Sequence, residues 1–217
     1  MLKNKMLSIL GDSISTYQGV SNDATAHPTL IDNAVFYRPV FKREETYWDI
    51  ILRELGMKLC VNNSYSGGNL SGKDSATSGI SRARYLARAD GTSPDLIIVF
   101  MGINDLGRRV PLATFAEDYR STLLTLRDTY PEASVLCVNI PDRDILLKKD
   151  AALFNEAIAS AVTEAGDRFF LADLFTSRFN NDLYYFNTLD GLHPDRDGMR
   201  ILADIILEAV RENFCDT

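Results

Sequence analysis

The chain has 217 residues, 46% of them hydrophobic and 24% charged, with 30 acidic against 23 basic side chains and a net charge of −7. That length and composition fit a soluble globular domain able to bury a sizeable core. The acidic balance argues against nucleic acid or an anionic membrane surface as partner, because both require a basic footprint.

Taken in chain order, apolar runs alternate with helical patterns. MLSIL (6–10) predicts a first strand, and TYWDIILREL (46–55) a helix stopped by Gly56. KLCVNNS (58–64) predicts a second strand and SGISRARYLAR (78–88) a second helix. PDLIIVFMG (94–102) holds the longest continuous apolar run and predicts a fully buried strand. LATFAEDYRSTLLTLRDTY (112–130) is an amphipathic helix ended by Pro131, and SVLCVNI (134–140) is a fourth strand. DAALFNEAIASAVTEAG (150–166) predicts a helix, RFFLAD (168–173) a fifth strand and DRDGMRILADIILEAVREN (195–213) a closing helix. Strands separated by helices of this length make βαβ units. The expected fold is α/β: a three-layer α/β/α sandwich on a five-stranded parallel sheet of flavodoxin-like order 2-1-3-4-5. One domain spans 1–217, with an irregular insertion at 16–45 that is rich in Thr, Asn, Pro and aromatic residues.

The cysteines Cys60, Cys137 and Cys215 are odd in number and far apart. The first two lie in strand-like runs and read as buried thiols rather than as a disulfide framework or a metal cluster. The N-terminus MLKNKMLSIL has too short an apolar region for a signal peptide, and no transmembrane run is present, so the expected location is cytoplasmic. The sequence carries no signal that settles whether the chain forms a homo-oligomer.

In open parallel sheets ligands sit beyond the carboxyl ends of the strands, so those ends are where chemistry is sought. After the first strand, GDSIS (11–15) supplies Ser13. After the second, NNSYSGGN (62–69) supplies Gly67 and Gly68; after the third, GIND (102–105) supplies Asn104 and Asp105. Between the fifth strand and the last helix, DGLHP (190–194) supplies Asp190 and His193. A hydroxyl, a glycine turn, an amide and a carboxylate three residues before an imidazole are the parts needed for acyl transfer. A serine hydroxyl is a poor nucleophile until a base takes its proton, a role that fits His193, with Asp190 holding the other ring nitrogen. The Asn104 amide and the backbone N–H groups of Gly67 and Ser13 are candidate oxyanion donors, with Gly68 as the alternative to Gly67.

GDSIS, the glycine of SYSGGN, GIND and DGLHP resemble, in order and spacing, the four blocks of the SGNH hydrolases, also called the GDSL esterase/lipase family. The resemblance covers 11–193 and implies a metal-free, cofactor-free serine esterase whose named residues are Ser13, Gly67, Asn104 and His193, with Asp190 completing a triad. Ile14 stands where the family name has Leu. G-x-S-x-G, the nucleophile elbow of ordinary α/β-hydrolases, is not matched, because Ser15 occupies its last glycine position.

Other residues have competing readings. Asp12 reads mainly as a scaffold hydrogen-bonder that also borders the site, and Asp105 as a residue bonded to turn backbone. Tyr17, Tyr37, Arg38, Arg108 and Arg109 are candidate substrate contacts, whereas Tyr47 and Trp48 open a helix and read as core. His27, before Pro28, reads as a loop residue. GGNLSGKD (67–74) satisfies G-x-x-x-x-G-K after a strand, the context of a nucleotide-binding P-loop with Lys73 on the phosphates. Asp74, however, stands where a Ser or Thr should hold Mg²⁺. The favoured function is therefore hydrolysis of short acyl esters, such as O-acetyl groups on carbohydrate. The irregular segment is polar and aromatic, which suits a sugar face. The alternatives are a lysophospholipase or thioesterase, or the P-loop protein.

Overall fold

A computed structural model describes residues 2–17, 20, 40, 42–142, 148–177 and 187–214. Most of the irregular 16–45 segment, including His27, Tyr37 and Arg38, lies outside the described residues, as does Cys215.

Strands β1 (Met6–Gly11), β2 (Lys58–Ser64), β3 (Leu96–Phe100), β4 (Ser134–Val138) and β5 (Phe169–Ala172) form one sheet of order β2-β1-β3-β4-β5. All four pairings are parallel, as expected. The helices are α1 (Tyr47–Leu55), α2 (Gly79–Arg82), α3 (Ile103–Gly107), α4 (Leu112–Thr129), α5 (Lys148–Ala165) and α6 (Arg196–Phe214).

Side-chain alternation along the strands divides the core into two layers. Leu7, Ile9, Ile98, Phe100 and Leu136 pack with Trp48 and Ile51 of α1 and with Leu202 and Ile206 of α6. Leu10, Ile97, Val99, Val135 and Cys137 face the other way, onto Phe115 and Leu123 of α4 and Phe154 and Ile158 of α5. Helix α1 starts where the Thr46 side chain accepts from the Asp49 N–H and ends at Gly56, whose φ of 64° is left-handed.

Two local differences from the sequence reading concern helices. The helix expected over 78–88 stops after Arg82. Beyond it, side chains from other elements take the backbone groups a helix would use. Tyr130 Oη accepts from Leu86 N–H (2.7 Å) and donates to Arg84 O (2.8 Å). Asn63 donates to Tyr85 O, and Ser8 to Leu86 O. Conversely, Asn104 and Asp105 lie not in an open turn but in the short helix α3. Gly102 leads into it at φ 126°, where a Cβ would press against Ile140 and Phe115 at 3.1 and 3.2 Å.

Candidate active site

Register assembles the rim. Gly11 pairs with Ser64 on one side and Phe100 on the other, so the segments after β1, β2 and β3 leave the sheet at the same level. The glycine of GDSIS has a steric basis. Residues Ser13–Ser15 form one 3-10 turn that folds back over the strand end. A Cβ at position 11 would lie 2.5 Å from Ser15 Oγ and 2.7 Å from Ser64 Oγ, so only glycine fits there. Asp12 caps the turn, accepting from Ile14 N–H at 3.0 Å. Ser15 is locked from below by a 2.7 Å hydrogen bond shared with Tyr47 Oη, and Asn62 Nδ2 donates to Ser15 O at 2.9 Å. What remains facing the rim is Ser13.

His193 reaches it from the far end of the chain. Its Nε2 lies 2.9 Å from Ser13 Oγ, and its Nδ1 lies 2.8 Å from Asp190 Oδ2. The loop that carries this pair is closed on itself. Leu189 N–H donates to His193 O at 2.7 Å, Asp195 N–H to Asn187 O at 2.9 Å, and Thr188 bridges Pro194. Gly198, in the first turn of α6, lets helix and loop touch, since a Cβ there would come within 2.2 Å of Asn187 O. Asp190 Oδ1 accepts from the N–H groups of Leu192 (3.0 Å) and His193 (2.8 Å). Partial burial pushes the Asp190 carboxyl up, but these N–H groups, the ring hydrogen bond and the nearby imidazole outweigh it and hold the carboxyl below its ordinary value. A carboxylate in this position fixes the orientation of the ring.

The candidate oxyanion donors lie on the opposite flank. Gly68 N–H closes a turn onto Tyr65 O at 3.0 Å. Among the described residues nothing accepts from the N–H of Gly67 or of Ser13, which favours Gly67 over Gly68. Gly67 adopts φ 68°, a conformation glycine tolerates. The Asn104 amide donates to Gly68 O at 3.1 Å and to Asp12 Oδ2 at 3.3 Å. Burial drives the Asp12 pKa up to about 7, against the Ile14 N–H and the charge of Arg82, which pull it down.

Arg82 is a residue that sequence reasoning missed. It is 3% exposed and donates to Gly11 O (3.0 Å), Thr77 O (2.9 Å) and Asn63 O, tying the ends of β1 and β2 together. No local pattern announces it, because its partners are carbonyls from two other elements. Asp105 keeps the reading it had. Its two carboxylate oxygens accept from Leu70 N–H (2.7 Å) and Ser71 N–H (2.9 Å). Gly72 N–H goes to Asp118 at 3.1 Å, and Lys73 Nζ lies 3.7 Å from the same carboxylate. The N–H groups that would cradle a phosphate in a P-loop are thus turned onto the protein's own carboxylates.

The remaining candidates divide. Tyr17 lines a small cavity of about 30 Å³ beside Ser13 and His193, together with Ile14, Thr16, Leu189 and Met199. Arg108 donates to Gly67 O at 2.6 Å and to Asn69 Oδ1. Arg109 is exposed at φ 56°. Tyr47 and Trp48 are buried in the core, and Cys60 and Cys137 are buried free thiols, as expected. No helix among the described residues is long and apolar enough to cross a membrane.

Comparison with known proteins sets this geometry in a family. No curated protein matches the chain. Among solved structures, a candidate GDSL-like lipase from Bacteroides ovatus is 23% identical over 97% of this chain and 99% of its own, with a TM-score of 0.76. Another, from Bacteroides uniformis, is 24% identical over 96% of each chain, with a TM-score of 0.72. A carbohydrate esterase family 2 enzyme with a carbohydrate-binding domain, from Corynascus thermopiles, is 17% identical over 97% of this chain and 67% of its own, with a TM-score of 0.67. These likenesses establish the fold. The model of the GDSL-like lipase/acylhydrolase family matches residues 9–201. The chain belongs to that family and is a carboxylic ester hydrolase.

Proposed function

We propose that the protein cleaves short acyl esters through a covalent acyl-enzyme on Ser13. The observation that carries this reading is the unbroken hydrogen-bond path from Ser13 Oγ to the His193 ring (2.9 Å) and from that ring to Asp190 (2.8 Å). In the first half-reaction Ser13 Oγ bonds to the ester carbonyl carbon while its proton passes to His193 Nε2. The tetrahedral intermediate then collapses, the carbon–oxygen bond to the alcohol breaks, and the imidazolium returns the proton to the leaving alkoxide. Water repeats the sequence to release the acid. The negative oxygen of each intermediate is met by the N–H groups of Ser13 and Gly67 and by the Asn104 amide. Asn104 exchanges its long 3.3 Å contact with Asp12 for the oxyanion as charge develops.

The acyl part is short. A cavity of about 30 Å³ beside Ser13 and His193 exceeds what one water needs, roughly 10–15 Å³, but accepts little beyond a methyl group. An O-acetyl group on a carbohydrate is the substrate class that fits. The carbohydrate esterase among the structural neighbours supports this choice.

Ser13→Ala tests the mechanism. The variant should lose hydrolysis of p-nitrophenyl acetate and keep its thermal melt. A fluorophosphonate should label Ser13 of the wild type, as read by peptide mass spectrometry. Wild-type turnover in Ser13→Ala, or label on another residue, would sink the reading.

A further inference from the structure

The guanidinium of Arg108 sits beside the candidate oxyanion donors without a counter-charge. Arg108 follows α3, and its backbone N–H donates to Asn104 O at 2.9 Å. Its side chain donates from Nη1 to Gly67 O and Asn69 Oδ1, both neutral acceptors. A Cβ built on Gly67 would meet Arg108 Nη2 at 3.2 Å, so the second arm of the fork lies against that glycine as well. Nη2 and Nε have no acceptor among the described residues.

Most described arginines of this chain have a carboxylate partner, although Arg82 and Arg88, like Arg108, donate to neutral carbonyls. Arg43 and Arg53 share Asp49, Arg120 pairs with Glu164, Arg168 with Glu132, and Arg200 and Arg211 with Glu54. Among the described residues no carboxylate pairs with Arg108 or with its exposed neighbour Arg109. In a protein of net charge −7, Arg108 is a cation without a carboxylate partner beside Gly67, placed to attract an anionic group there. Arg108 is also pre-positioned. Two neutral acceptors fix one arm of a planar fork, and the free arm retains the geometry that matches an oxyacid.

The geometry points to a substrate whose alcohol portion carries an anionic oxyacid group, carboxylate or phosphate, received by Arg108 while the short acyl group enters the cavity beside Ser13. This inference rests on the acyl-enzyme reading above and narrows it: the small cavity takes the acyl end, and the open rim beyond Gly67 takes the charged end.

Three acetate esters of similar shape test it: para-acetoxybenzoate, para-acetoxyphenyl phosphate and the neutral para-acetoxybenzamide. The quantity to read is the ratio of kcat/KM for each anionic ester to that for the amide. Relative to wild type, Arg108→Gln should lower this ratio roughly tenfold, mainly through KM, as expected for loss of a charge-assisted contact at a part-exposed rim. Arg108→Lys should restore part of it, and the two anionic arms show which oxyacid is preferred. Raising the salt concentration should lower the wild-type ratio, a readout that needs no variant. An equal loss on all three esters would overturn the inference, because Arg108 would then act only by holding Gly67. So would an unchanged ratio in Arg108→Gln together with a salt-independent wild type. Ser13→Ala separates the two readings: turnover surviving there defeats the acyl-enzyme mechanism, whereas a flat charge ratio with Ser13→Ala inactive defeats the role of Arg108 alone.

Discussion

Arg82 donates a hydrogen bond from Nη2 to the carbonyl oxygen of Gly11 at 3.0 Å, and almost none of its side chain meets water. Burial lowers its pKa to about 10, still far above neutrality, so the guanidinium remains a buried cation, with Asp12 as the opposing charge. The residue therefore has two structural tasks. It satisfies backbone carbonyls from β1, β2 and the segment before α2, and it places a positive charge near the carboxylate that touches Asn104.

Arg82→Met should accordingly be among the most damaging single changes outside the candidate triad. It keeps apolar bulk but strands several buried carbonyl oxygens, each costing about 1–3 kcal/mol when unpaired. A loss of about 3 kcal/mol or more in a urea titration is expected, with Arg82→Lys intermediate. A melt within a degree or so of wild type would show that the carbonyls find other donors.

Asp12 gives a pH-dependent prediction whose sign is opposite to that of most carboxylates. Its folded pKa is raised from 3.8 to about 7, so the folded chain binds its proton more tightly than the unfolded chain does. Its contribution is most favourable below the unfolded value and is lost as pH rises through the folded one. Asp12→Asn removes that titration. The stability of the variant relative to wild type should therefore improve steadily from about pH 4 to about pH 7. Urea midpoints at several pH values read this directly, and a difference independent of pH would refute the assignment. The same variant should be slower by about tenfold, since one amide oxygen replaces the two carboxylate oxygens that receive Ile14 N–H and the Asn104 amide.

Asp190 follows the ordinary sign. Its pKa lies below the usual carboxylate value, so it stays ionised through mildly acid conditions, and its stabilising contribution is lost only as pH falls through that lowered value. In its ionised state it holds the His193 ring by the 2.8 Å bond to Nδ1 while Nε2 faces Ser13. Asp190→Asn should cut kcat by about 10³–10⁴ by no longer holding the imidazole in the productive tautomer. A kcat within about tenfold of wild type in Asp190→Asn would mean that this carboxylate does not orient the ring.

The sheet is legible in the sequence because β3 and β4 are continuous apolar runs, β1 is a short apolar run closed by Gly11, and β2 passes from Leu59–Val61 into the polar turn that follows it. The site is legible for the same reason, since each candidate residue follows one of those runs. What is hidden is whatever depends on side chains meeting backbone from distant elements. The helix expected through Arg88 fails because Tyr130, Ser8 and Asn63 claim its peptide groups. Arg82 looks like one more surface arginine of that helix, yet its partners lie in β1 and β2. Asp12 and Asn104 are 92 positions apart, and nothing local couples them. The resemblance of residues 67–73 to a phosphate loop is real at the level of pattern, and only the placement of Asp105 and Asp118 shows where those N–H groups go.

The acyl cavity makes the last prediction. Ile14, Leu189 and Met199 bound it, and Met199 comes from α6 rather than from the loops that carry Ser13 and His193. Across p-nitrophenyl esters from acetyl to dodecanoyl, kcat/KM should fall steeply once the acyl chain outgrows the cavity. Met199→Ala removes side-chain volume from the cavity lining without replacing any residue of the proton path. It should move the optimum to a longer chain, while costing about 2–3 kcal/mol of stability, because Met199 is buried in the α6 layer. Each methylene newly accommodated should be worth roughly 10–200-fold in discrimination at most, the range set by apolar contact alone. If the variant loses activity on every chain length in parallel, the cavity does not receive the acyl group. The acyl chain would then have to run along the open rim, where length selectivity would be weak from the start.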